Sequence, residues 1–300
     1  MKGLNRSSCA FSAGIAGLLL AGCIAPQSTA SPPQQNIAAK VRASSGDLLY
    51  VVNYDNAVFF SFPQGKQIGE LSGIGNPENV CSDTSGNVWF TSHVGRQKYK
   101  LYEFAHGGTK PIATIDVPES KSAVACTINP VNGDLAVLNN AGVSNSGSLL
   151  VWPGARSGTP QEYTLYLEPT ACAYDEHGDL FATGWTDSDG YYFVELKSGA
   201  TAFTNISVKP RSFLAGSVQW DGEYFAVAML HGGGSRIYRL QVSGSTGKVV
   251  QVVHPHPVAL QTWFLVQGGM LVATERSYDD EQLGIWKYPA TGTPMSPPSS

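Results

Sequence analysis

Gly86-Asn87-Val88-Trp89-Phe90-Thr91 is a short apolar run that follows directly on a glycine and a turn-forming residue. The same arrangement occurs six times in the chain, and its other copies begin at Gly46, Gly133, Gly178, Gly222 and Gly268. Successive glycines lie 40, 47, 45, 44 and 46 residues apart. A period of this length is typical of an array of similar structural units.

A second signature follows each glycine-led run, as in Leu101-Tyr102-Glu103-Phe104 and Ile237-Tyr238-Arg239-Leu240. With one strand before the glycine and one after the aromatic signature, each unit contains four predicted strands. The glycine-led runs are apolar at nearly every position, which indicates that both of their faces are buried. The pattern predicts an all-β fold, a six-bladed β-propeller of four-stranded antiparallel blades. A β-sandwich is the second choice, because it would leave one face of many strands in water.

The segment from Asn76 to Phe90 resembles the repeat unit of NHL-type propellers, which the gluconolactonase group and the virginiamycin B lyase-like proteins share. The stretch from Glu103 to Thr109 resembles a short sequence motif of uncharacterised bacterial envelope lipoproteins with this fold. The resemblance covers about residues 40 to 290 and implies a fold rather than an activity. The carboxylates, asparagine and histidine that hold a metal in those enzymes have no match here, residue by residue. No cofactor is therefore predicted, and a divalent metal lacks support.

The N-terminal residues predict export and a lipid anchor. Lys2 and Arg6 precede an apolar stretch too short to span a bilayer, and Leu20-Ala21-Gly22-Cys23 resembles the bacterial lipobox. Residues 1–22 are accordingly predicted to be a lipoprotein signal peptide, and 23–36 a lipidated Cys23 with a flexible tether. An ordinary signal peptide cut near Ala30, or an uncleaved anchor, remains the alternative. Ile24 in place of aspartate resembles the sorting pattern for the outer membrane, so the predicted location is the cell envelope.

The propeller is predicted to span residues 37–290, followed by a disordered tail at 291–300. Ile37 to Ala43 is the only apolar run before Gly46 and is the predicted inner strand of blade one. The tail after Tyr288 is rich in proline and poor in apolar residues. The sixth blade is therefore expected to be thin or irregular.

The net charge limits the partners this protein can bind, and the cysteine content limits its disulfides. A formal net charge of −4 offers no basic field for a phosphate backbone, so nucleic acid is not an expected partner. Beyond Cys9 and Cys23 the chain has Cys81, Cys126 and Cys172, an odd number that permits at most one disulfide. We interpret them as small residues packed in crowded inner strands, with a thiol cluster near the axis as the alternative.

Polar residues at the strand ends fall into two groups. Aspartates and asparagines just before the glycine-led runs are predicted to accept backbone hydrogen bonds in tight turns: Asp83, Asn129, Asp175 and Asp221. Loops that join strands two and three, or strand four and the next blade, lie on one face of a propeller. The candidate ligand face defined by these loops carries Asp55, His93, Arg96, Asp187, His231, His254, His256, Glu275 and Arg276. His106 and His177 fall on the opposite face.

A concentration of ionisable groups at a channel mouth is what a ligand site needs. The sequence therefore predicts a membrane-anchored binding or scaffold module whose partner is an envelope protein, a glycan or a small molecule. The alternative is a divergent lactonase-like or lyase-like enzyme with its site at the same mouth.

Overall fold

The structure is a computed structural model, and it describes residues 15–17, 46–96, 98–118, 121–140, 146–187, 190–209, 215–231, 234–255, 260–276, 281–290 and 296–299. Within these ranges, regular structure consists of β-strands and one short 3-10 turn, Pro153–Ala155. The strands form six separate sheets, five with four strands and one with five.

The first three sheets each take four strands that are consecutive in the chain. Blade one consists of β1 (Ile15–Gly17), β2 (Leu48–Val52), β3 (Ala57–Ser61) and β4 (Gln67–Leu71). Blade two consists of β5 (Asn76–Ser82), β6 (Val88–Gly95), β7 (Lys98–Phe104) and β8 (Pro111–Asp116). Blade three consists of β9 (Ala125–Ile128), β10 (Leu135–Asn140), β11 (Gly147–Trp152) and β12 (Gln161–Leu165).

Of the last three sheets, only that of blade five departs from this plan. Blade four consists of β13 (Glu168–Tyr174), β14 (Leu180–Thr186), β15 (Gly190–Leu196) and β16 (Thr204–Asn205). Blade five consists of β17 (Ser207–Val208), β18 (Ala215–Trp220), β19 (Phe225–His231), β20 (Gly234–Ser243) and β21 (Thr246–Val253), with β17 pairing parallel to β21 at the outer edge. Blade six consists of β22 (Leu260–Gln267), β23 (Met270–Arg276), β24 (Glu281–Lys287) and β25 (Ser296–Ser299).

The inner strands of the six sheets follow one another around a closed ring. β5 contacts β9, β9 contacts β13, β13 contacts β18, and β18 contacts β22. β1 contacts both β22 and β5, which closes the ring. The predicted six-bladed β-propeller is confirmed, and each glycine-led run supplies the second strand of its blade.

The two ends of the propeller differ from the sequence-based expectation. In blade one of the uncleaved chain, Ile15–Gly17, which belongs to the predicted signal peptide, pairs with residues Leu49 to Val51 and holds the inner position predicted for Ile37 to Ala43. Cleavage before Cys23 would remove this segment and leave the inner position open to another run. The predicted run itself lies outside the described residues. In blade six, the proline-rich tail supplies an outer strand, with a register shift between Leu283 and Ile285. The sixth blade thus has four strands, whereas the sequence predicted a thin or irregular blade.

The hydrophobic core lies between the blades rather than in one central mass. All five residues of β2 are buried, as the absence of a polar alternation predicted. Trp89, Cys126 and Trp152 belong to one cluster between blades two and three, and both tryptophans are among the most fully buried side chains of the described residues. Burial on both faces explains why these strands tolerate few polar residues.

The turn prediction for the four aspartate and asparagine positions is confirmed. The Oδ1 of Asp83 accepts the backbone N–H groups of Ser85 and Asn87, at 2.8 and 2.9 Å. The corresponding atoms of the other three residues each accept a backbone N–H two residues further along the chain. These bonds satisfy donors that the tight turn leaves without a strand partner.

Asp221 joins blade five to blade six on the face opposite the candidate ligand face. Its Oδ2 accepts hydrogen bonds from Arg239 Nε and from the Tyr288 hydroxyl, both at 2.7 Å. The Asp221 side chain is fully buried and that of Arg239 is 12% exposed. Burial acts to raise the pKa of Asp221, but the hydrogen bonds from Arg239 and Tyr288 outweigh it and hold the pKa below its ordinary value.

We expect Asp221→Asn to lower the free energy of unfolding by about 3 kcal/mol at neutral pH, because the largely buried Arg239 then keeps only the exposed Glu223 carboxylate, 3.3 Å from its Nη2, as a charged partner. Since the pKa of Asp221 is lower in the folded than in the unfolded chain, its contribution is complete above the ordinary aspartate value of about 3.9. It is lost as the pH falls through the lower, folded value. Thermal unfolding at decreasing pH should show the two proteins converging in acid, and a constant difference would contradict this account.

Candidate functional site

We call the upper face the end of the propeller where strand two turns into strand three and where strand four leads into the next blade. The described residues of the predicted ligand face lie at this end. His93 and Arg96 are at the end of β6, His231 at the end of β19, and Glu275 and Arg276 at the end of β23. Asp55, Asp187 and His254 lie in loops of the same face and are exposed.

The structure does not gather these residues into one constellation. They come from several blades around the rim, and no group of three or more His, Cys, Asp or Glu side chains within the described ranges could hold a metal ion. His256 and Cys23 lie outside the described residues. His106 and His177 lie in the β7–β8 and β13–β14 connections, on the opposite face, as predicted.

A cleft of about 460 Å³ opens on the upper face where blade one passes into blade two. The chain leaves β4, turns through Gly73 and Gly75, and enters β5 at Asn76, and this turn forms one wall. The end of β6 and Tyr102 of β7 complete the cleft. The lining residues are Gly73, Gly75, Asn76, His93, Val94, Gly95 and Tyr102.

Gly75 is required by the way this cleft is built. Its φ is +75°, a conformation that residues with a Cβ rarely adopt. A Cβ placed there would lie 2.6 Å from the carbonyl oxygen of His93 and 2.9 Å from Cγ1 of Val94. The glycine therefore lets the connecting turn approach the end of β6 without a clash.

Ser92 places a buried hydroxyl beside this cleft. Side chains alternate along a strand, so Ser92 lies on the same side of β6 as Phe90 and Val94. Phe90 packs against Tyr50 of blade one, and that side of the strand therefore faces the gap between blades one and two. Ser92 is fully buried, and its Oγ has no hydrogen-bond partner among the described residues. A buried polar atom without a partner is costly unless a water or a ligand satisfies it.

Glu78, Tyr99 and His93 form a polar group on the other side of the same blade. Glu78 lies at a bulge of the inner strand, between Pro77 and Asn79. The Tyr99 hydroxyl donates to Glu78 Oε1 at 3.2 Å, and the rings of His93 and Tyr99 are 4.9 Å apart. The bulge thus brings a carboxylate to the channel mouth beside a phenol and an imidazole.

Burial has the largest effect on the pKa values of Glu78 and Tyr99. It raises the pKa of Glu78 above its ordinary value, although the hydrogen bond from Tyr99 and the charge of His93 act in the other direction. Burial, together with the charge of Glu78, raises the pKa of Tyr99 to about 12. The phenol therefore keeps its proton at neutral pH, and the carboxylate accepts protons more readily than a surface glutamate.

The cysteines correct the sequence interpretation. Cys81 and Cys126 form a disulfide that links β5 to β9, with their Cα atoms 5.7 Å apart. The interpretation of all three inner-strand cysteines as packing residues holds only for Cys172, which is free and buried. Cys81 and Cys126 can bond because the inner strands β5 and β9 of neighbouring blades lie side by side. Burial raises the pKa of the Cys172 thiol well above its ordinary value, which makes it a poor nucleophile.

Sequence reasoning found His93 but missed most of the cleft. Gly73, Gly75 and Glu78 have no predicted role in the site, and Tyr102 is predicted only as part of the aromatic signature. The doublet of glycines around Ile74, in a connection between two blades, was the available signal. This doublet predicts that the backbone passes close to another part of the chain, but it does not show that this part is the end of β6.

Comparison with known proteins identifies the fold alone. No protein-family model matches the chain, and no curated protein matches its sequence. Solved structures do match. The hydrazine synthase of Kuenenia stuttgartiensis superposes with a TM-score of 0.59 at 11% identity, covering 81% of each chain. The PQQ-bound aldose sugar dehydrogenase of Streptomyces coelicolor gives 0.59 at 10% identity, over 80% of this chain and 90% of its own.

The β-propeller domain of Cps50 (Swd1) from Myceliophteria thermophila matches with a TM-score of 0.54 at 14% identity, over 80% of this chain and 79% of its own. The chain is a β-propeller. Its structural neighbours have different functions, and at such low identity their activities do not transfer to this propeller.

Proposed function

We propose that this propeller is a binding module of the bacterial cell envelope, anchored to a membrane by lipid on Cys23, and that its upper face binds the ligand. The observation that carries the binding role is the cleft between blades one and two, which has the size of a small-molecule site. The buried hydroxyl of Ser92 beside it supplies an unused hydrogen-bonding group.

The disulfide supports the envelope location. Disulfides persist in exported proteins and are rare in the reducing cytosol. Cys81 and Cys126 are bonded at the centre of the fold, which fits folding in an oxidising compartment. Among the described residues there is no helix with the length and apolar character needed to cross a membrane. The proposed attachment rests on the sequence around Cys23.

Labelled palmitate should enter the wild-type protein and should be lost in Cys23→Ala. Several acyl chains, each contributing about 0.8 kcal/mol per buried CH₂, hold a protein to a bilayer stably. We therefore also expect the variant to leave the membrane fraction. Equal labelling of the two proteins would exclude lipid attachment at Cys23.

The binding role is tested by comparing the two faces of the propeller. The purified full chain is screened against envelope oligosaccharides, peptides, lactones and divalent ions, and the affinity of each ligand found is measured by calorimetry. Tyr102→Phe should weaken binding, whereas His177→Ala, on the opposite face, should not. Loss of binding in His177→Ala alone would show that the upper face is not the site.

A hydrolytic enzyme is the second candidate, favoured by the Glu78–Tyr99–His93 group. A carboxylate with a raised pKa at a channel mouth can accept a proton from the water that attacks a lactone carbonyl. Wild type and Glu78→Gln should be compared for lactone hydrolysis between about pH 5 and about pH 9. Turnover by the wild type that is lost in the variant would favour the enzyme over the binding module.

A further inference from the structure

We propose that the cleft between blades one and two recognises a neutral, polyhydroxylated ligand, namely a sugar unit of a glycan. This inference rests on the proposed binding function and adds the chemical class of the ligand. It follows from the charge, the hydrogen-bonding groups and the aromatic surface of the residues around the cleft.

The cleft offers no fixed charge to an ionic ligand. None of its described lining residues is a carboxylate, a lysine or an arginine. Lys100, on the same side of the sheet as Tyr102, pairs with Asp116 at 2.8 Å. An ionic ligand would have to leave water without a compensating partner, which costs several kcal/mol or more. A neutral ligand avoids this penalty.

The polar groups around the cleft can both donate and accept hydrogen bonds. Ser92 has a hydroxyl, Tyr102 a phenol and Asn76 an amide. A sugar hydroxyl has the same dual capacity, so it can bond to any of them in either direction. The Ser92 hydroxyl lies behind the residues that line the cleft, is fully buried and lacks a partner among the described residues. A water that bridges it to a ligand hydroxyl would make the bond that the fold leaves unmade.

The apolar residues of the cleft suit the C–H face of a sugar ring. Tyr102 is half-buried and packs against the core cluster of blades one and two, which holds its ring in place. Val94 lines the same cleft. A pyranose presents C–H groups on its face and hydroxyls at its edge, and a tyrosine at a wet site can pack against the first while it bonds to the second.

Two further tyrosines on the upper face give a glycan additional contact surface. Tyr54, in the β2–β3 connection of blade one, is 64% exposed, and Tyr166, between β12 and β13, is 82% exposed. Tyr54 belongs to the blade that supplies Gly73 and Gly75, and a chain of sugars leaving the cleft can reach it.

The test compares sugars that differ in charge. Calorimetry is performed on the purified full chain with neutral trisaccharides of glucose and of N-acetylglucosamine, with a galacturonic acid trisaccharide, with a glucosamine trisaccharide and with trialanine. We expect a neutral trisaccharide to bind and the charged sugars to bind at least about tenfold more weakly. Ser92→Ala and Gly75→Ala should each weaken this binding by about tenfold, the first by removing the hydroxyl and the second by filling the cleft.

Ser217→Ala provides a matched control, since it removes a buried hydroxyl from the inner strand of another blade. It should leave the affinity unchanged, and thermal unfolding of each variant shows whether the fold is intact. Tyr102→Phe gives a second measurement at the cleft if Gly75→Ala does not fold. Binding of charged sugars or of trialanine alone, with sensitivity to Ser92→Ala, would overturn the sugar assignment and leave the proposed site standing. Absence of binding to every neutral sugar, or binding insensitive to both Ser92→Ala and Tyr102→Phe, would also overturn it.

Discussion

Replacing Trp89 with alanine is expected to lower the free energy of unfolding by about 3–5 kcal/mol. Trp89 lies on β6, is almost completely buried, and packs in the cluster between blades two and three with Trp152 and Cys126. Removing the indole leaves a cavity that two facing sheets cannot close, because each is held by its own strand pairing. The same reasoning applies to Phe181 between blades four and five. Chemical denaturation monitored by circular dichroism measures the change.

Tyr166→Ala is the control for the loss of an aromatic ring. This side chain is exposed, so its removal should change stability by no more than about 0.5 kcal/mol. If Trp89→Ala and Phe181→Ala unfold at the same denaturant concentration as the wild type, the glycine-led strands are not the packed core.

Removing the disulfide is the second change with a large expected effect. The bonded cysteines are 45 residues apart, and a bond that closes such a loop reduces the entropy of the unfolded chain by an amount worth about 4 kcal/mol. The double variant Cys81→Ala/Cys126→Ala should lose about this much stability. Blades two and three then depend on packing and on the hydrogen bond from the Cys126 backbone N–H to Asn79 Oδ1.

Reduction distinguishes this effect from a loss of packing. A thiol reductant should lower the stability of the wild type towards that of the double variant and should leave the double variant unchanged. Cys172→Ala also removes a buried sulfur, but Cys172 is free, so this variant should retain its sensitivity to the reductant. Wild-type stability that is indifferent to complete reduction would show that the bond contributes nothing to the fold.

The repeating features of this propeller were predictable because they depend on residues close together in the chain. Gly86 and the buried run after it mark a second strand, and Asp83 caps the turn before that run. Each feature needs only a strand, a tight turn and the alternation of side chains. The order of loops around the ring follows from antiparallel pairing, and this put His93 and His177 on opposite faces.

Contacts between residues far apart in the chain were not predictable in this way. Glu78 and Tyr99 are 21 residues apart, and Cys81 and Cys126 are 45 apart. Their contacts depend on the bulge at Glu78 and on how closely the inner strands converge. The residue pattern along one strand gives neither the position of a bulge nor the distance between inner strands.

The sequence by itself determined the number of blades, the buried strands, the turn residues and the face on which each loop lies. These properties follow from hydrophobic periodicity and local hydrogen bonding, which act within a few residues. The tertiary structure alone decided which cysteines bond, which strand completes each end of the ring, and where a cleft opens. Gly75 shows the reason: its role depends on the His93 carbonyl oxygen, which would lie 2.6 Å from a Cβ at that position. That distance is set by the pairing of Asn76 with His93 across β5 and β6, which the sequence around Gly75 does not show.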